Sequence, residues 1–198
     1  NGNTAVGAGA LNHNTAEGNT AVGWNAGGGN TTGVGLTALG TFAAIANTDG
    51  DLNTAVGASA MTDSTTGDRN TAVGANALRS SVTGSDNTAV GVSAYSLGTT
   101  GQGGTAVGVE ALLNTTGPSV TGIGRSAGRY NTTGARNTYV GADAGGVTDP
   151  GQFDNVTALG AGATPTTGNQ VVLGDNQVTD VLTHGALTIG AVPVRIIP

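Results

Sequence analysis

Few side chains in this sequence are equipped for chemistry, and their spacing limits what each can do. There is no cysteine and only two histidines. His13 and His184 stand far apart; a ring of three His184 side chains about a three-fold axis, with Asp180 beside it, is the one metal arrangement they suggest, and a surface histidine is the simpler reading. The acids fall mostly in loops, at Asp49, Asp51, Asp63, Asp68, Asp86, Asp149 and Asp154, where Asp closes turns through local hydrogen bonds. Asp49-Gly50-Asp51 brings two carboxylates together without the spacing of a calcium loop. No Ser/His/Asp set, nucleophile elbow or carboxylate pair stands out, so no catalytic role, metal or cofactor is expected. The Gly-x-Gly fragments, such as Gly7-Ala8-Gly9, lack the following helix and later acid of a dinucleotide site and read as turns. What remains is recognition chemistry. Trp24, Phe42, Tyr130 and Phe153, with Asp49 and Asp51, are the candidate ligand contacts, because exposed aromatics on a polar surface often bind. Phe42 falls in a stretch, Gly40 to Leu52, that reads as a long connector, and Phe153 in another, Val147 to Asn155.

The elements that position these residues are unusual in composition. Of 198 residues 37 are Gly, only 9% are charged and 3% aromatic, so the interior must be built from small side chains and backbone hydrogen bonds. The glycines recur at fixed places, which marks a patterned chain rather than a disordered one. Net charge is −6 and all six basic residues are Arg, which leaves no basic stripe for a phosphate backbone and argues against nucleic acid as a partner. No charged-then-apolar leader and no long apolar run is present, so no membrane span is expected in this segment.

The pattern is the phrase Asn-Thr-Ala-Val-Gly. It stands at Asn3–Gly7 and recurs as Thr20-Ala21-Val22-Gly23, Thr54-Ala55-Val56-Gly57, Thr71-Ala72-Val73-Gly74, Thr88-Ala89-Val90-Gly91 and Thr105-Ala106-Val107-Gly108. Looser copies are read at Thr32–Gly35, Thr121–Gly124, Thr138–Gly141, Thr157–Gly160, Val171–Gly174 and Leu187–Gly190. From Thr54 to Thr105 the step is a constant 17 residues, and elsewhere it runs from 12 to 22 on this reading. Such periods are too short for helix pairs and suit one coil of a β-solenoid. Three residues after the phrase glycine comes Ala, often followed by a large apolar residue such as Met61, Leu78, Tyr95 or Leu112, which suggests a second strand in each coil. Thr-Thr-Gly connectors such as Thr65-Thr66-Gly67 separate the coils and take up the length variation.

In a strand, alternate side chains face opposite ways, so the phrase's Thr and Val share one face and its Ala and Gly the other. The always-aliphatic column Val6, Val22, Val56, Val73, Val90, Val107, Ile123 and Val140 is expected to point into the coil. The Ala/Gly face, small throughout except at Tyr139 and Val172, is expected to let another backbone approach, which argues for oligomerisation because one thin coil buries little surface alone.

These residues resemble the head repeats of trimeric autotransporter adhesins, the YadA-like head, whose coils carry Asn-Ser-Val-Ala-Ile-Gly followed three residues after the Gly by a small residue. The likeness covers roughly Asn3 to Gly174, with Thr where that family prefers Val. It implies an all-β fold, a left-handed parallel β-roll (β-solenoid) of short repeats, homotrimeric, with adhesion as the usual role. The stretch Asn169–Asn176, followed by Val178-Thr179-Asp180-Val181, resembles the segment that ends similar arrays in phage-type tail-fibre proteins. The expected organisation is therefore a repeat array over 1–168 and a capping or transition segment over 169–198. The expected function is a trimeric extracellular fibre segment, at a cell surface or on a virion, that acts as rigid shaft and attachment module toward a glycan or matrix protein. Two alternatives are a spacer with no ligand and an ice-binding solenoid, the latter requiring Thr to face outward on a flat sheet.

Overall fold

The computed structural model of the chain describes residues 2–146 and 153–178. Within them lie eleven three-residue strands: β1 (Thr4–Val6), β2 (Thr20–Val22), β3 (Thr37–Leu39), β4 (Thr54–Val56), β5 (Thr71–Val73), β6 (Thr88–Val90), β7 (Thr105–Val107), β8 (Thr121–Ile123), β9 (Thr138–Val140), β10 (Thr157–Leu159) and β11 (Val171–Leu173). They form one parallel sheet in sequence order, each strand bonded to the next coil's copy of itself, and the described residues contain no helix. The molecule is an all-β solenoid. Register is phrase on phrase throughout, Thr54 opposite Thr71 and Val56 opposite Val73, for example.

The third copy of the phrase is Thr37-Ala38-Leu39-Gly40 rather than Thr32-Gly33-Val34-Gly35. Thr32 and Gly33 belong to a connector, where the Thr31 hydroxyl donates to the Thr48 carbonyl at 2.9 Å. With that correction the irregular steps become 17 and 17, and the supposed long connector from Gly40 disappears: Phe42 sits at the corner just after β3.

The strand faces are the reverse of the expectation. Ala21, Ala38, Ala55, Ala72, Ala89 and Ala106 are completely buried, whereas Val6, Val22, Val73, Val90, Val107 and Ile123 are exposed and Val56 and Val140 half-buried. Side-chain volume explains the choice. A 17-residue coil encloses room for one methyl on the strand wall, because the opposite wall supplies Met61, Leu78, Tyr95 and Leu112, all buried. Those large residues do not form a second strand; they stand in a run of turns with φ near +50° at Met61, Leu78, Tyr95 and Leu112.

The core conserves volume coil by coil. Tyr139, the large residue on the strand wall, is buried inside rather than at an outer contact, and the opposite wall retreats to Gly128 and Gly145; a Cβ on Gly128 would lie 2.6 Å from the Tyr139 ring. Tyr95 likewise occupies space released within its own coil at Gly98, Gly101 and Gly104, where added Cβ atoms at Gly98 and Gly104 would approach its ring to 2.7 Å.

The phrase's leading Asn supplies what the short strands cannot. Asn70 donates from Nδ2 to the Gly84 carbonyl at 2.8 Å, closing its own coil, and its Oδ1 accepts from the Asn87 amide at 3.0 Å, pinning the next one. Asn53 and Asn87 repeat both bonds. The ladder is buried, and each member satisfies backbone groups that have no strand partner. The connectors are also registered: Thr48 Oγ1 donates to the Thr65 carbonyl and Thr65 Oγ1 to the Val82 carbonyl, both at 3.1 Å. They are hydrogen-bonded ladders rather than free loops.

Candidate binding surfaces

The first surface follows from the reversed faces. Since Ala points inward, Thr and Val both point outward, and in-register stacking lines them into two parallel columns on a sheet of three-residue strands. The aliphatic column runs without a polar interruption through Val6, Val22, Leu39, Val56, Val73, Val90, Val107, Ile123, Val140, Leu159 and Leu173. At the strand spacing of about 4.8 Å its ten steps cover roughly 48 Å. Beside it the Thr column is half-exposed from Thr20 to Thr157. Among the described residues, the hydroxyls of Thr54, Thr71, Thr88 and Thr105 hydrogen-bond to no protein group, so they are available to whatever meets this face. In the corner column just past the phrase glycine, Val92 and Val109 are also about half exposed.

The second surface lies on β2 and β3 and their corners. Trp24 is 55% exposed and stacks against Phe42 of the next coil, with ring centroids 4.7 Å apart and planes tilted by 45°. The corner position that holds Trp24 is Ala8, Ala58, Ala75 or Ala142 in other coils, so the tryptophan is a local departure. Beyond Asn25 the same coil carries Gly28 and Gly29 where its neighbours have Asn12-His13 and Ile45-Ala46, and the missing side chains leave a depression of about 230 Å³ lined by Asn12, His13, Asn25, Gly28, Gly29 and Ile45.

The other candidates are placed individually. Asp49 accepts from Thr32 Oγ1 at 2.7 Å, and Asp51 accepts from the Val34 amide at 2.9 Å, so both carboxylates hold connectors together. Tyr130 is exposed beside Arg129, whose guanidinium lies 5.7 Å from its ring centroid. Phe153 is half-buried against the core, and its carbonyl accepts from Asn137. His184, Asp180, Asp149 and the phrase read at Leu187–Gly190 lie outside the described residues, as does most of the 169–198 segment. Exposed ion pairs tie adjacent coils together, among them Arg69–Asp86 at 2.7 Å, Arg129–Glu110 at 2.6 Å and Arg125–Asp143. The bond to Arg69 holds the Asp86 carboxyl below its ordinary range and raises the guanidinium in turn.

The two surfaces differ in what sequence reasoning can reach. Trp24 and Phe42 are visible as rare aromatics, but their stacking depends on the corrected register of β3, which sets Phe42 one coil above and one residue beyond Trp24. The outward Thr/Val face is missed because alternation groups residues without saying which group is inside. In comparisons with known proteins, no family model matches the chain and no curated protein matches it.

Proposed function

We propose that this chain is a segment of a homotrimeric extracellular fibre, a left-handed β-roll that serves as a rigid shaft and carries attachment sites at a cell surface or on a virion. The observation that carries the proposal is the uninterrupted aliphatic column on the outer sheet face. A contiguous apolar strip roughly 48 Å long is the kind of exposed patch that marks an interaction surface. Three such strips meeting about an axis would bury one another and give the thin coil the second core layer that its Ala-lined interior lacks. Adhesion is then a property of the assembled rod: three copies of any weak site act together with an avidity no single copy has. The test is the mass in solution, measured by light scattering on a sized sample. A particle of three chains is expected; a stable folded monomer at micromolar concentration overturns the assembly.

A second reading is favoured by the same face. An ice-binding solenoid requires outward Thr in a flat, regular array, and the outward Thr column beside Val meets that requirement more closely than an inward one would. Parallel stacking repeats the Thr methyl and hydroxyl at about 4.8 Å along the axis. Thermal hysteresis separates the two readings: a freezing-point gap that disappears when Thr71, Thr88 and Thr105 are changed to Lys supports ice binding, and its absence in the parent chain leaves assembly as the role of the face.

A further inference from the structure

We propose that the Trp24–Phe42 pair and the depression next to it form a binding site for a neutral pyranose sugar. The inference deepens the attachment reading by naming a ligand class, but the site lies within one chain and stands whether or not three chains assemble.

Three features converge on coils one to three. First, Trp24 presents an indole to solvent at a corner where most coils place a small side chain, and Phe42 supports it from the coil above at a centroid distance of 4.7 Å. The pair is rigid for a surface feature, since Trp24 and Phe42 sit on consecutive rungs joined by the Phe42 amide donating to the Trp24 carbonyl at 2.9 Å. A flat aromatic face of this kind takes the apolar C–H face of a sugar ring, burying area at little cost in side-chain freedom.

Second, the depression that begins at Asn25, the residue after Trp24, carries uncharged polar groups beside the apolar side chain of Ile45. Asn12 and Asn25 each carry an amide that donates and accepts, the pairing that vicinal hydroxyls need. His13 is oriented: its Nδ1 lies 2.8 Å from the Gly28 carbonyl, which can only accept, so Nδ1–H donates to it and Nε2 is the ring nitrogen left for a ligand. Third, the floor is backbone. Gly28, buried, and Gly29, half-buried, line it with main chain, and a Cβ would press on the Gly9 carbonyl at Gly28 (3.2 Å) and on the Ile45 carbonyl at Gly29, so both positions need glycine.

The volume, about 230 Å³, suits a single sugar ring rather than an extended chain. Charge sets the class. The depression contains no Arg, Asp or Glu, so an acidic sugar would find no cation to pair with and a basic one no carboxylate.

Ligand-observed saturation-transfer NMR on the intact chain tests this with five probes: the methyl β-glycosides of glucose, galactose and N-acetylglucosamine, methyl α-mannoside, and free N-acetylneuraminic acid. A saturable response to at least one neutral probe is expected, with a dissociation constant on the order of millimolar, as befits a shallow site. Trp24→Ala should weaken that binding by about tenfold or more. Asn25→Gly is the second variant: Asn25 has φ +54°, which Gly adopts freely, so the fold survives while the amide is lost, and binding should again fall. No saturable response to any neutral probe overturns the site, as does a Trp24→Ala chain that binds normally, or a response to N-acetylneuraminic acid as strong as to the neutral sugars. Mass measured on the same samples keeps the two proposals apart: a trimer without sugar binding overturns only this site, and a monomer that binds sugar overturns only the assembly.

Discussion

Tyr95 concentrates the chemistry of the interior in one side chain. Its ring fills the space that Gly98, Gly101 and Gly104 vacate, but its hydroxyl has no hydrogen-bond partner among the described residues, and burial pushes the phenol up to about 12 from 10.0. The folded state therefore holds the proton more tightly than the unfolded one. That contribution is complete below pH 10 and is lost as pH rises from about 10 to about 12, amounting to on the order of 2 kcal/mol. Tyr95→Phe should flatten this alkaline loss and leave stability at pH 7 within about 1 kcal/mol, since no bond is broken; thermal melts of both chains between pH 7 and 11 measure the difference, and identical alkaline profiles would remove Tyr95 as the cause. Asn70 is the opposite case. Asn70→Ala strands the Asn87 amide and the Gly84 carbonyl in the interior, and should cost roughly 2–4 kcal/mol in a denaturant titration. The sequence displays the Asn of the phrase plainly. Its double duty is not legible there, because the acceptor at Gly84 lies fourteen residues on and becomes a neighbour only once the coil closes.

The coil is the element, and its period is legible wherever four copies keep a 17-residue step. The third coil misleads because Thr32-Gly33-Val34-Gly35 imitates the phrase; the connector column settles the register, since Thr31-Thr32-Gly33 stacks on Thr48-Asp49-Gly50 and Thr65-Thr66-Gly67. Phrase glycines are fixed at this scale too. Gly74 has φ +132°, and a Cβ there would lie 2.7 Å from the Gly91 carbonyl carbon, so Gly74→Ala must both strain the backbone and force two coils apart, at a cost of about 2 kcal/mol or more. A coil should also behave as a removable cassette if its volume compensation is internal. Tyr95 and its three glycines all lie within residues 88–104, so deleting 88–104 places Thr105 after Asn87 and restores the Asn-Thr junction with no void. Residues 138–156 are not such a cassette, because Tyr139 depends on Gly128 of the preceding coil. The first deletion should melt as cooperatively as the parent chain and the second at a clearly lower temperature; equal melting would refute volume matching between coils.

Along the whole molecule, small terms add because every coil presents the same face. Alternation in the phrase separates Thr and Val from Ala but is symmetric to exchanging inside and outside, and only coil volume breaks that symmetry. The outcome places on the surface a column whose members each retain part of a valine's burial energy. Val73 is 37% exposed, so covering it is worth roughly 0.5–1 kcal/mol. Eleven such residues per chain give on the order of 5–10 kcal/mol, comparable with the ~4–15 kcal/mol that association costs in lost freedom. Assembly should therefore depend on array length and fail sharply when the middle of the column is made polar. In the proposed trimer, Val73→Asp with Val90→Asp would put six carboxylates about the three-fold axis without touching the buried Ala wall. The expected result is a single-chain mass with the circular dichroism of the parent; a trimer that persists would place the interface on another face, and an unfolded chain would mean that the coil cannot hold its form without its neighbours.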